Sequence, residues 1–165
     1  MSFNILPVPL ILFLAMAGAA AAQGGHFAFG DMARSRDLPV EVTADNLDVD
    51  QGDGTAIFTG HVIIAQGEMR LSAPKVEIIY LKDRSGIKRL KASGGVTLVN
   101  GQDAAEATRA DYDVESGIVR MYGNVLLVQG RNALSAERMT VDLRAGTARV
   151  SGRVKTVLPQ GDKKP

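Results

Sequence analysis

Cysteine and tryptophan are absent from the 165 residues, aromatic side chains make up 5%, and there are only two histidines. Without cysteine there can be no disulfide, thiolate metal site, thiol nucleophile or lipidated N-terminal cysteine. The two histidines, His26 and His61, are too few for a three-ligand zinc site without carboxylate help, and neither has metal-ligand spacing. No Gly-x-Ser-x-Gly elbow and no phosphate-binding loop occurs. Nineteen basic residues against eighteen acidic ones give a net charge of +1, so bulk charge selects neither nucleic acid nor a membrane surface. The fold must stand on burial alone.

Charge is also missing from residues 1–22, which hold an apolar run from Leu10 to Met16 and end in Ala20, Ala21 and Ala22. This reads as an export signal cleaved after Ala22, with Pro7 and Pro9 leaving too little apolar length for a membrane span. The expected organisation is a signal peptide over 1–22, a flexible segment over 23–37, one folded domain over 38–159 and a disordered tail over 160–165.

What is abundant is repetition. Gly-x-Val occurs at Gly60, Gly94, Gly123 and Gly152, in steps of 34, 29 and 29 residues. Ala44, Ala107 and Ala136 precede their glycines by 16 residues and Ala73 by 21, the extra five falling in the polar stretch Lys82–Gly86. Counting two and four residues either side of each glycine gives Ala56, Phe58, Val62 and Ile64 in the first copy. The later copies give Leu90, Ala92, Val96 and Leu98, then Val119, Met121, Val125 and Leu127, then Ala148, Val150, Val154 and Thr156. All but Thr156 are apolar, and the residues between them are mostly polar, with Ile57, Ile63 and Leu126 as exceptions. The segments after each alanine keep the same parity, placing Leu47, Val49, Val76, Ile78, Ala110, Tyr112, Met139 and Val141 inward and Asp45, Asp48 and Asp50 outward. Period two with frequent glycine predicts an all-β antiparallel architecture, each long strand bending at its internal glycine.

Two architectures satisfy this pattern: a sandwich with a solid core, and a narrow roll enclosing an apolar groove. Few aromatics and small inward side chains suit the groove, because a wide core would be thinly filled. All the inward positions are uncharged, which removes the carboxylate pair a glycosidase needs. The acidic series from Asp45 to Asp53 alternates along a strand, separating the carboxylates instead of wrapping them round calcium. The basic cluster Lys82, Arg84, Lys88, Arg89 and Lys91 fits either an anionic ligand or a charged loop.

Ala44-Asp45-Asn46-Leu47-Asp48, Phe58-Thr59-Gly60-His61-Val62 and Gln66-Gly67 resemble the LptA (OstA-type) lipopolysaccharide transport family. The likeness extends through Tyr112 and Gly123-Asn124-Val125 to Thr156-Val157-Leu158-Pro159, with His61 and Arg153 where the family has asparagine. It implies a twisted antiparallel β-jellyroll, slightly V-shaped and here built from four repeats, with no cofactor. It also implies a periplasmic carrier of lipopolysaccharide whose lipid A chains ride inside. The partners implied are further copies stacked head to tail, an LptC-like inner-membrane jellyroll and an LptD-like outer-membrane jellyroll. Two alternatives remain, a membrane-tethered LptC-like component and a structural β-repeat protein without ligand. Positions matching the family's lipid contacts are Val40, Val42, Leu98, Tyr112 and Val114, and parity adds Phe58, Val62, Ile64 and Met121. The edges expected to pair with neighbours are residues 40–43 and 153–158.

Overall fold

The computed structural model describes residues 26–28 and 38–157. The expected signal peptide, the tail 160–165 and residues 158–159 at the end of the expected domain lie outside them. Of the expected flexible segment 23–37, only His26–Ala28 is described, and it forms a strand.

Among the described residues every regular element is a strand: β1 (His26–Ala28), β2 (Glu41–Thr43), β3 (Asn46–Asp50), β4 (Thr55–Gln66), β5 (Met69–Tyr80), β6 (Ile87–Asn100), β7 (Asp103–Asp113), β8 (Ile118–Gln129), β9 (Asn132–Asp142), β10 (Thr147–Ser151) and β11 (Lys155–Val157). All pairings are antiparallel, in the order β1-β10-β9-β8-β7-β6-β5-β4-β2, with β3 also on β4 and β11 also on β9.

Each junction between the long strands β4 to β9 carries a register shift near mid-length, at Thr59/Val62, Ser72/Lys75, Ser93/Val96, Glu106/Arg109 and Tyr122/Val125. The shifts line up across the sheet and bend it into two leaves. One leaf runs from β3 to β10 and β1; the other runs from β2 to β11. The Gly-x-Val repeat is this corner. Gly60, Gly123 and Gly152 sit at φ of 78°, 78° and 79°, and the residues after them, His61, Asn124 and Arg153, at 44°, 48° and 41°. The alanine repeat supplies the other half, because the residue after each alanine lies over a corner glycine. A methyl group on Gly60 would come within 2.9 Å of Asp45 Cβ, one on Gly152 within 2.7 Å of Glu137 Cβ, and one on Gly94 within 3.2 Å of Pro74. Only glycine offers both the left-handed backbone and the missing Cβ.

The far ends of the first leaf are closed by aspartates. Asp50, Asp113 and Asp142 each accept backbone N–H groups from the residues two or three further on, and Asp83 does so from Ser85. Ser116, through its N–H and hydroxyl, and then Arg89 hold the Asp113 carboxyl below the usual carboxylate range. Asp50, at the end of β3, thus uses its carboxylate to close the turn that follows.

Inward parity becomes burial along the long strands and β10, while Val154 and Thr156 of the fourth copy, at the β11 edge, are exposed. Val62, Ile64, Val76, Leu98, Met121, Val125, Met139, Val141 and Val150 belong to one core between the leaves, each no more than 1% exposed. Of the three exceptions to alternation, Ile63 and Leu126 are exposed and Ile57 is half-buried.

Candidate functional site

The space between the leaves is the site the sequence points to, and its lining comes from every long strand. Phe58, Val62 and Ile64 stand on β4, Leu98 on β6, Tyr112 on β7 and Met121 on β8, while Val40 and Val42 enter at the β2 edge and Val114 follows β7. The structure gathers all nine into the core or its margin. Val62, Ile64, Leu98, Tyr112 and Met121 are buried; Val40, Val42, Phe58 and Val114 are half-buried and pack against them.

The filling differs from the sequence expectation in one respect. Small inward side chains were expected to leave room for hydrocarbon, yet Val62, Leu98 and Met121 are 0% exposed. Val, Ala and Met let the leaves approach until their own side chains meet, so the central interior is closed by the protein itself.

Across the far ends of the leaves the tie is polar. The Tyr112 hydroxyl on the first leaf donates to Gln66 Oε1 on the second at 2.9 Å, and Gln66 Nε2 donates to the Leu38 carbonyl at 3.0 Å. Gln66 and Asn100 are the buried polar residues among those described, and half-buried Asp103, opposite Asn100 on the β6–β7 ladder, accepts from Gln129 Nε2 at 3.1 Å at the same end. Burial pushes the Tyr112 phenol above its ordinary pKa, the Gln66 hydrogen bond opposing it, and the group stays neutral at physiological pH.

Among the described residues the interior opens at the β3 edge, and at the opposite edge Val154, of inward parity, is 48% exposed as well. Leu47 faces Phe58 and Val49 faces Ala56 across the β3–β4 ladder, so both lie on the inner face, but they are 53% and 61% exposed. Alternation marks both residues as inward, and strand length gives no signal of their exposure, since β10 is equally short and its inward residues are buried. Together with half-buried Phe58 they form an apolar ledge running from solvent into the core.

Outside the roll, a hollow of about 570 Å³ follows the corner, lined by Gly60, Ile63, Ala73, Pro74 and Gly95 among others. Among the described residues no group of three or more histidines and carboxylates could hold a metal ion. His61 is 91% exposed and its Nδ1 lies 2.7 Å from Asp45 Oδ2, and Arg153 Nε pairs with Glu137 Oε1 at 2.6 Å. Of the basic cluster, Arg84 donates to the Gln51 carbonyl, Arg89 pairs with Asp113 and Lys91 with Glu77, which favours the charged loop over a ligand site.

Residues 41–147 match the family model described as LptA/(LptD N-terminal domain) LPS transport protein. An uncharacterized protein of Rhizobium meliloti (strain 1021) is 31% identical over 113 residues, 64% of this chain; the chain spans 57% of that relative's length. Among solved structures, LptH, the LptA homologous periplasmic component of the lipopolysaccharide transport device of Pseudomonas aeruginosa, is similar with a TM-score of 0.68 at 19% identity. That match covers 76% of this chain and 99% of LptH. The likeness to LptH is one of fold: an antiparallel sheet rolled into the same jellyroll.

Proposed function

The chain belongs to the LptA/LptD N-terminal family of LPS transport proteins, a family that transports and does not catalyse, and from that premise we propose that it is a periplasmic carrier that shelters the lipid A acyl chains of lipopolysaccharide between its leaves. The observation that carries this reading is the apolar ledge of Leu47, Val49 and Phe58, where the lining of an apolar core reaches solvent.

The energetics suit passage. At about 0.8 kcal/mol per CH₂, exposing one acyl chain of roughly a dozen carbons to water costs on the order of 10 kcal/mol, so several chains cannot cross an aqueous compartment bare. A chain that parts the leaves replaces contacts between side chains with contacts to hydrocarbon, and apolar surface stays away from water throughout. The polar tie from Tyr112 to Gln66 is the part of that opening with no apolar replacement. Transfer from a membrane into such a roll is close to balanced, so direction must come from an energy-consuming partner upstream.

The edges support the bridging part of the proposal. β2 and β3 are outermost at one side and β11 at the other, and Val154 and Val157 there are about half exposed. Strand addition at these edges would join copies head to tail and join the ends to LptC-like and LptD-like jellyrolls, linking inner and outer membranes. A photocrosslinking residue at Leu47 or Phe58 is expected to label lipopolysaccharide in cells, and one at outward Arg120 is not. Equal labelling at inner and outer positions removes the carrier role.

A further inference from the structure

In the first leaf, β3 to β10 are eight successive antiparallel strands, so the first and the last run in opposite directions. A second copy placed head to tail would bring its β3 against β10 antiparallel, continuing the alternation without a break. In the second leaf the same holds for β2 against β11. The corners agree with this phase. At one edge an acidic residue, Asp45, lies over Gly60 and pairs with the positive-φ residue His61; at the other, Glu137 lies over Gly152 and pairs with Arg153. Asp45 N–H donates to the Gly60 carbonyl and Glu137 N–H to the Gly152 carbonyl, both at 2.9 Å.

One of these receiving edges is occupied. β1 pairs with β10 through His26↔Arg149, Phe27↔Ala148 and Ala28↔Thr147, antiparallel, the position that β3 of a second copy would take. The ladder is three residues long, against five for β3 on β4. Gln129 Nε2 fastens it by donating to the Ala28 carbonyl at 2.6 Å. On β11 the outer edge is uncovered among the described residues.

We infer that β1 is an intrachain cap on the β10 edge, displaced by β3 of a second copy of this chain when copies associate, so that the N-terminal segment sets the concentration at which stacking begins. The inference rests on the edge-to-edge association proposed above. A ladder of three residues among those described shields the edge from indiscriminate pairing yet yields to a longer strand that brings the apolar Leu47 and Val49 with it.

The test uses the absence of native cysteine. Ala28→Cys with Thr147→Cys places two thiols on directly paired antiparallel residues, whose Cα separation falls within the range a disulfide spans. Oxidised, this variant is expected to sediment as a monomer at concentrations where the reduced form associates, and a reductant restores association. Deleting residues 24–30 is expected to lower the concentration for half-association by about ten-fold, the factor for a cap docked about nine-tenths of the time. Equal association of oxidised and reduced protein, or a deletion that associates no better than the full chain, overturns the inference. Both arms are run without lipid. A failure here leaves the carrier role to the lipopolysaccharide labelling, and a failure of that labelling leaves this result standing.

Discussion

The two edges of the first leaf are built from the same inward alternation and meet opposite fates. At the β10 edge the inner residues Ala148 and Val150 are 1% and 0% exposed; at the β3 edge their counterparts Leu47 and Val49 are 53% and 61% exposed. Apolar character on one face of a strand therefore does not guarantee burial. Burial needs a covering surface as well, and at β3 the inner side chains stay open, which leaves a piece of core surface facing water. On a monomer such a surface is a liability unless something apolar uses it.

The largest effect that could break this comparison comes from a charge on each surface. Leu98→Asp puts a carboxylate into the closed interior and is expected to cost more than about 4 kcal/mol in urea denaturation, enough to unfold a small domain. Leu47→Asp, of the same inward parity, is expected to stay within about 0.5 kcal/mol while losing lipopolysaccharide labelling. Equal destabilisation by the two would mean that the β3 ledge is covered after all.

Both halves of that contrast were partly legible in the residues. Val62, Ile64, Leu98, Met121 and Tyr112 followed from alternation because a period of two has one buried face, and the corners followed from Gly-x-Val because a positive φ excludes most other residues. How tightly the leaves close was not legible, since alternation names the facing residues and not the distance between them. Nor was β1: three residues paired to a strand more than a hundred positions away carry no local pattern of their own. The role of the residue after each alanine, Asp45, Pro74, Thr108 or Glu137, was equally hidden, because four unlike side chains do one job by lying over a glycine.

The corners should not share the asymmetry of the linings. Gly60→Ala, near the β3 edge, and Gly152→Ala, near the β10 edge, each combine a left-handed φ with a methyl group pressed on a neighbouring Cβ. Each is expected to cost about 2–3 kcal/mol. Gly130→Ala, in a turn at φ 58° with nothing within 4 Å of the new methyl, should cost roughly 1 kcal/mol. Unequal costs at Gly60 and Gly152 would place the difference between the edges in the bend itself and not in its covering.

Tyr112→Phe sharpens the comparison from inside, removing the donor of the tie between leaves while keeping the ring. A loss of about 1 kcal/mol is expected. The pH dependence carries a sign as well. Because burial raises the folded pKa, the phenol's contribution is complete below the unfolded value of about 10 and is lost as the pH rises through the higher folded value. The Phe variant should lack that alkaline component of the denaturation profile. A variant with unchanged stability and an unchanged alkaline limb would reduce the Tyr112–Gln66 bond to an incidental contact.

The smallest effect tests whether the charged corner pairs matter at either edge. His61→Asn removes an exposed side-chain hydrogen bond to Asp45 and Arg153→Asn an exposed ion pair with Glu137; such surface contacts contribute about 0–1 kcal/mol in general, with His61 and Arg153 about nine-tenths exposed here. Each also replaces a residue held at φ near 40° by one that tolerates the left-handed region, as Asn124 already does at the equivalent corner. The two terms oppose each other, so both variants are expected to fall within about 0.5 kcal/mol of the parent in thermal denaturation. A loss beyond about 1 kcal/mol at one edge alone would mean that the pair fastens that edge, Asp45 and His61 holding the start of β3 to β4, or Glu137 and Arg153 holding the turn from β10 into β11. The edges would then differ in how firmly they are tied and not only in how they are covered, and the freer one would be where the leaves first part.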